Sequence, residues 1–216
     1  GKQVAFVIKK DALEFDKKLS YKNDYLLLRE EIIRHIVNVA MDDIIVSTTG
    51  KASRELYEIR EANGQGHEKD FLTVGSMGHS SSIALSIALQ KPDKKIWIID
   101  GDGAVLMHMG AMALIGSNKP KNIVHIVINN CSHETVGGMP TISKNIDLLK
   151  IAEGCGYPNV FGVDELNGLD RALDFAKTKN ELSLIEVKAA IGARNDLGRP
   201  KVTPAENKKA FMTNLL

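Results

Sequence analysis

The stretch KKIWIIDGDGAVLMHMGAMALIGSNKPKNIVHIVINN, residues 94–130, decides the fold. Its opening, 95–100, is an apolar run built on Ile96, Trp97, Ile98 and Ile99, as expected of a strand buried on both faces. Gly101 and Gly103 interrupt the run, residues 105–115 follow with helical spacing, and 122–128 is a second apolar, β-branched run. Strand, helix, strand in that order predicts parallel pairing, because a crossover helix carries the chain back to the starting edge.

The same grammar extends both ways. Upstream, the pattern predicts a helix over 25–41 capped by Asp24, a strand at 44–46, a helix over 52–62 stopped by the cluster 63–66, and a helix over 80–89 ending before Pro92. A short strand is expected at 4–8, followed by a polar bridge over 9–23. Downstream, it predicts helices at 147–154, 165–178 and 205–215, strands at 159–163 and 182–187, and a stiff turn from Arg199 to Pro204. The fold class is therefore α/β: a doubly wound, mostly parallel sheet with helices on both faces. In such sheets ligands bind beyond the carboxyl ends of the strands, which points to the loops after Ser47, Asp100 and Ile128.

Composition narrows the partners. The 216 residues, against about 150 per domain, suit one generous domain with an extension. Lys and Arg number 28 against 27 for Asp and Glu, so neither nucleic acid nor an anionic membrane surface is an expected partner. No apolar run approaches the roughly 18 residues of a membrane span, and Cys131 and Cys155 are too few for a disulfide framework, so a cytoplasmic setting is expected. The chain starts at Gly1 instead of Met, which points to an internal or artificial start.

The chemistry gathers at the strand ends. Around Asp102, Gly101 and Gly103 let backbone approach a ligand closely, and the following helix offers unpaired N–H groups, as a phosphate requires. A carboxylate there repels phosphate unless a cation intervenes, which makes Asp102 a candidate magnesium ligand; the alternative is an ordinary turn with Asp102 as helix cap. Asn129 and Asn130 close the next strand, with 25 residues between Gly103 and Asn129, the length of one helix and one strand. Magnesium takes about six oxygens: the Asp102 carboxylate, the Asn130 amide oxygen, the Ser132 carbonyl and two phosphate oxygens leave room for a water.

Gly101-Asp102-Gly103 followed at this interval by Asn129-Asn130 resembles the cofactor motif of the thiamine diphosphate-dependent decarboxylase and synthase superfamily. The resemblance implies that Asp102 and Asn130 hold magnesium and that Gly103 and Ala104 give backbone N–H groups to the diphosphate, beside Gly101. It implies that Gly75 and Met77, in the turn Gly75-Ser76-Met77-Gly78, hold the aminopyrimidine and wedge the cofactor; Met77 as simple core filling is the alternative. Thr49, Gly50 and, next to them, Lys51, after the strand at 44–46, become diphosphate-side candidates, with a Thr48 or Thr49 helix cap as the other reading. Residues 47–57, 75–82 and 129–141 are together similar to the carboxyl-terminal half of the phosphonopyruvate decarboxylase family, the sulfopyruvate decarboxylase beta-subunit family being a near relative.

That likeness runs from about residue 25 to 216. It implies that 1–20 are the end of a preceding domain and a linker, and that 21–216 are the diphosphate- and magnesium-binding domain. It further implies a 2-oxo acid decarboxylase, with 3-phosphonopyruvate giving phosphonoacetaldehyde and carbon dioxide, and with a partner pyrimidine-binding domain, missing here or on another subunit, delivered in an oligomer. The chain alone is then expected to be inactive, since no residue of it matches the family glutamate that contacts the pyrimidine. His133 and Glu134, just after the metal loop, are candidate catalytic residues, a His being able to bind an anion or relay a proton. The alternative for His133 is surface or packing; His108 and His125 fall within predicted elements and read as packing or exposed positions. Two rivals remain open: a non-catalytic cofactor-binding subunit, and a plain nucleotide-binding domain, although the chain lacks the Gly-x-Gly-x-x-Gly turn of dinucleotide sites.

Overall fold

A computed structural model of the chain describes residues 1–9, 12–13 and 21–216. Among these, the elements are α1 (Arg29–Ala40), β1 (Ile44–Ser47), α2 (Lys51–Ala62), β2 (Asp70–Leu72), α3 (Ser80–Gln90), β3 (Ile96–Gly101), α4 (Asp102–Met107) and α5 (Gly110–Asn118). There follow β4 (Ile123–Asn129), β5 (Ser132–His133), β6 (Met139–Pro140), α6 (Leu148–Cys155), β7 (Asn159–Val163), α7 (Leu166–Thr178), β8 (Ser183–Lys188) and α8 (Pro204–Leu215). Six strands form one sheet in the order β2-β1-β3-β4-β8-β7, and every pairing in it is parallel.

Alternation along each strand fills two cores. Ile45, Trp97, Ile99, Val124, Ile126 and Ile185 point to the face covered by α1, α2 and α7. Their neighbours Ile44, Val46, Ile96, Ile98, Ile123 and Val127 point to the face covered by α3, α5 and α6. With water excluded from both faces, the central strands are mostly apolar on both sides, and this is why the runs at 96–99 and, apart from the buried His125, 123–128 read so plainly. The polar edge of Trp97 is satisfied at Asp43, Nε1 to Oδ2 2.8 Å.

The structure departs from the sequence expectations in four places. The strand expected at 4–8 does not form: residues 1–9 carry no strand, and Phe6 and Val7 are about nine-tenths exposed (90% and 95%). A strand needs a neighbour to pair with, and no described strand pairs with this segment. The bridge expected at 9–23 lies partly outside the described residues. The first helix begins at Arg29, with Leu28 and not Asp24 at its cap. Residues 21–28 are committed elsewhere, since Asn23 Nδ2 donates to the carbonyls of Asn130 and Ala189 at 2.9 Å, and the Leu27 carbonyl accepts from the Ala190 N–H. The helix expected at 105–115 is two helices, α4 and α5, broken at His108 and Met109. Finally, the edge strand β2 has no counterpart in the pattern, being only Asp70, Phe71 and Leu72.

Sheet order positions the site. From β1 the chain moves outward to β2, and then returns to β3 on the other side of β1 and continues to β4. The connections after β1 and β3 thus depart in opposite directions and leave a crevice between them, the place where doubly wound sheets hold ligands.

Candidate functional site

A cavity of about 310 Å³ opens at that crevice. The loop after β1 contributes Thr48, Thr49 and Gly50; the turn from β3 into α4 contributes Asp100 to Ala104; the loop after β4 contributes Asn130 and Ser132 to Val136; Met77 lies across from them. Residues that are far apart in the chain converge because β1, β3 and β4 are neighbours in register: Ser47 pairs with Ile99, and Gly101 with Ile128. Positions 102 and 130 therefore leave the sheet one and two residues past a shared rung.

Both helices that start at the cavity begin without a side-chain cap. Gly50, at φ +100°, precedes α2, and Gly101 precedes α4. The capping alternatives for Thr48, Thr49 and Asp102 are thereby excluded: Asp102 is the first residue of α4, and its carboxylate is turned to other partners. First-turn N–H groups that lack a side-chain acceptor are available to an anion.

Asp102 is 2% exposed. Its Oδ2 accepts from the hydroxyls of Thr141 and of Ser143, the latter at 2.8 Å. Burial pushes the Asp102 carboxyl above the usual carboxylate range, and the two hydroxyls only partly oppose this. A buried carboxylate held by neutral donors alone is a fit for a cation that would repay its desolvation. Asn129 does not line the cavity. Its Oδ1 accepts from Ser143 Oγ at 3.0 Å and its Nδ2 donates to Glu186 at 2.6 Å, so it holds Ser143, which in turn holds Asp102. Asn130 does line it: its Oδ1 accepts from the Ser132 N–H at 3.0 Å, a turn enabled by left-handed backbone at Cys131 (φ 57°). Among the described residues no three His, Cys, Asp or Glu side chains form a metal-holding group. A divalent ion here would rest on one carboxylate, neutral oxygens and the ligand's own phosphates, which is magnesium's habit.

The chain is bare where a diphosphate would lie. A Cβ built on Gly103 would stand 2.9 Å from His133 Nδ1 and 3.3 Å from Met77 Cε, so side chains close over this glycine from two directions. Met77 is half-buried at the cavity wall and is not core filling. Gly75 lies outside the lining, exposed and left-handed at φ +66°. His133 lines the cavity and makes no side-chain hydrogen bond among the described residues. His79 and His108 stack on one another, ring centroids 4.8 Å apart, away from the lining. His125 is fully buried in β4, its Nδ1 3.1 Å from the Tyr157 hydroxyl.

Glu134 differs from the sequence expectation. Its carboxylate accepts from Arg29 at 2.7 Å, from Lys51, and from Asn130 Nδ2 at 3.0 Å. Burial raises its carboxyl, but the Arg29 and Lys51 charges outweigh burial and hold it below the ordinary range. A carboxylate so occupied braces the loop after β4 and is a poor proton carrier. Arg29 also grips Glu55 bidentately at 2.7 and 2.8 Å. Sequence reasoning missed Arg29, Glu55, Thr141 and Ser143; none carries a spacing signal, because each acts through a contact made across the fold.

Comparison with known proteins agrees with this geometry. Residues 48–187 match the family model of the thiamine pyrophosphate enzyme, C-terminal TPP binding domain. The chain belongs to this family. More narrowly, it is 38% identical over 178 residues to phosphonopyruvate decarboxylase of Streptomyces viridochromogenes, covering 82% of this chain and 43% of that one. It is 42% identical over 186 residues to sulfopyruvate decarboxylase subunit beta of Methanocaldococcus jannaschii, covering 85% and 95%. The chain thus spans about two-fifths of the phosphonopyruvate decarboxylases it matches and nearly all of the beta subunit. Among solved structures, benzoylformate decarboxylase from Polynucleobacter necessarius superposes with a TM-score of 0.66 at 13% identity, over 76% of this chain and 33% of the other, which shows a common fold.

Proposed function

We propose that this chain is the cofactor-binding part of a thiamine diphosphate-dependent 2-oxo acid decarboxylase, converting 3-phosphonopyruvate to phosphonoacetaldehyde and carbon dioxide. The observation that carries this reading is the meeting of Asp102, Gly103 and Asn130 on one cavity wall at the ends of adjacent parallel strands. In the reading, residues 21–216 are the diphosphate- and magnesium-binding domain and 1–20 the end of a preceding one. The pyrimidine-binding domain comes from elsewhere in an oligomer. Sulfopyruvate is the second reading of the substrate, favoured by the near-complete coverage of the beta subunit.

Each residue then has a task. Asp102, Asn130 and the Ser132 carbonyl would hold magnesium; Thr49, Gly50, Gly101, Gly103 and Ala104 would receive the diphosphate; Met77 and Gly75 would shape the pyrimidine side. Bound there, thiamine diphosphate supplies an electron sink for the pair released as the C1–C2 bond of the 2-oxo acid breaks. His133, at the cavity wall and without a side-chain hydrogen bond among the described residues, is the residue of this chain suited to deliver a proton to the carbon that was C2 of the 2-oxo acid and becomes the aldehyde carbon of the product. Glu134 keeps the loop in place and does not titrate in the cycle.

Calorimetric titration of thiamine diphosphate with and without magnesium, on this chain and on Asp102→Ala, tests the reading. Magnesium-dependent binding that disappears in the variant is expected; binding indifferent to metal would overturn the bridging role. Turnover of 3-phosphonopyruvate by this chain alone would overturn the need for a second domain.

A further inference from the structure

A second cavity, of about 450 Å³, adjoins the first. Thr49, Gly50 and Thr135 line both, so the partition is thin: a Cβ built on Gly50 would meet Thr135 Oγ1 at 3.1 Å. On the far side stand Arg54, one turn into α2, and Arg199, in the loop before α8.

The charges around the two cavities are unequally paired. On the first, Arg29 and Lys51 are matched by Glu55 and Glu134. In the loop that carries Arg199, Arg194 pairs with Glu30, Glu58 and Asp196, and Lys201 with Glu61. Arg54 and Arg199 alone of these make no ion pair and no side-chain hydrogen bond among the described residues, and no carboxylate lines their cavity. One buried group there also lacks a partner: Thr73, 4% exposed, lines the cavity with an unbonded Oγ1. The amino end of α8 is not the attraction, since Glu206 already occupies the Thr203 N–H and hydroxyl. Two unpaired guanidinium forks and an unused buried hydroxyl, beside a site proposed for a 2-oxo acid, match the needs of a tetrahedral oxyanion.

We propose that Arg54, Arg199 and Thr73 form the subsite for the tetrahedral anionic end of the substrate, a phosphonate or a sulfonate. This rests on the decarboxylase reading above. A plain 2-oxo acid would leave both arginines unmatched, so the subsite would select for a second, terminal anion.

The test is titration of the whole chain, loaded with thiamine diphosphate and magnesium, with methylphosphonate, methanesulfonate and acetate, following the amide resonances of Arg54 and Thr73. Saturable shifts with methylphosphonate or methanesulfonate and none with acetate are expected, the tighter of the two anions naming the substrate. Arg54→Ala and Arg199→Ala should each weaken that binding about tenfold, in keeping with loss of a charge-assisted contact. Cofactor affinity should stay within about twofold, since neither arginine lines the first cavity. Arg54→Lys, which keeps the charge and loses the fork, should give an intermediate loss and guards against a folding defect. Normal cofactor binding with no response to either anion would overturn the subsite and leave the decarboxylase reading standing. Anion binding without any cofactor binding would overturn the decarboxylase reading, and the substrate role of the subsite with it.

Discussion

Arg29 and Glu134, 105 residues apart in the chain, meet at 2.7 Å in the lining of the cavity. Through this pair the start of α1 is tied to the loop that carries Asn130. The same guanidinium holds Glu55 of α2, so one side chain joins α1 and α2 to the loop after β4.

Removal of either partner should cost unequally. Arg29→Ala strands Glu55, 1% exposed, and leaves Glu134 to Lys51 and Asn130 alone; losing one member of a buried pair costs about 3–5 kcal/mol. Burial already raises the Glu55 carboxyl against the pull of Arg29, so without the arginine it should take up a proton. Glu134→Gln leaves Arg29 on Glu55 and keeps a side-chain oxygen for Lys51, so a loss of about 1 kcal/mol is expected. Urea unfolding of both variants decides the matter; equal losses would show that Glu134, and not Glu55, is the main partner of Arg29.

Thr141 and Ser143 should tune metal affinity without touching the ion. They supply the hydroxyl donors of Asp102 Oδ2, and Ser143 is fixed in turn by Asn129. Loss of such a supporting contact typically weakens metal binding about 10–100-fold. Thr141→Val combined with Ser143→Ala should therefore raise the magnesium concentration needed for thiamine diphosphate binding by that order, while affinity measured without magnesium hardly changes. A uniform loss under both conditions would mean that the hydroxyls shape the cavity and do not orient Asp102.

How far these residues could be foreseen depends on what kind of order placed them. Ile96 to Ile99 and Ile123 to Ile128 are legible because burial on both faces writes itself into every residue of a strand. Asp102 and Asn130 are legible because each sits at a strand end beside glycine or asparagine, where local geometry and chemistry coincide. Arg29 is not, since its role depends on α1 lying over α2, a relation that no local spacing records. The start of α1 is hidden for the same reason: Asp24 looks like a cap, but Asn23 is drawn across to Asn130 and Ala189 and keeps the chain extended. The segment at 4–8 misleads in the opposite sense, being apolar enough for a strand and without a neighbour among the described residues to make it one.

Acid should loosen α8 before the sheet. Glu206 closes a capping box with Thr203, and the Thr203 N–H and hydroxyl hold its carboxyl below the ordinary range. A carboxyl depressed in the folded state contributes stability that is fully present above its unfolded value, about 4.3, and is lost as pH falls through the lower folded value. Carbon-detected titration should place the Glu206 midpoint below that of the unfolded chain, with the resonances of Phe211, which α8 buries, moving in step. Glu206→Gln should abolish this pH response of Phe211; a response that persists would assign it to another group.

Two glycines separate binding from folding. Gly116 of α5 packs so tightly against α6 that an added Cβ would lie 1.8 Å from the Cys155 carbonyl oxygen, a backbone atom that moves only if the helices part. Gly116→Ala should thus destabilise by about 1–3 kcal/mol or more, as overpacking does, despite the better helix propensity of alanine. Gly103→Ala meets only the ends of His133 and Met77, which can turn aside, and Gly103 has no left-handed backbone to forbid the change. Its melting temperature should hold or rise, because alanine gains up to about 1 kcal/mol over glycine within a helix. The new methyl group nevertheless occupies the surface that a diphosphate must approach, and affinity for thiamine diphosphate should fall about tenfold or more, a loss of about 1.4 kcal/mol. Unchanged affinity in a stable Gly103→Ala protein would remove the diphosphate from the amino end of α4.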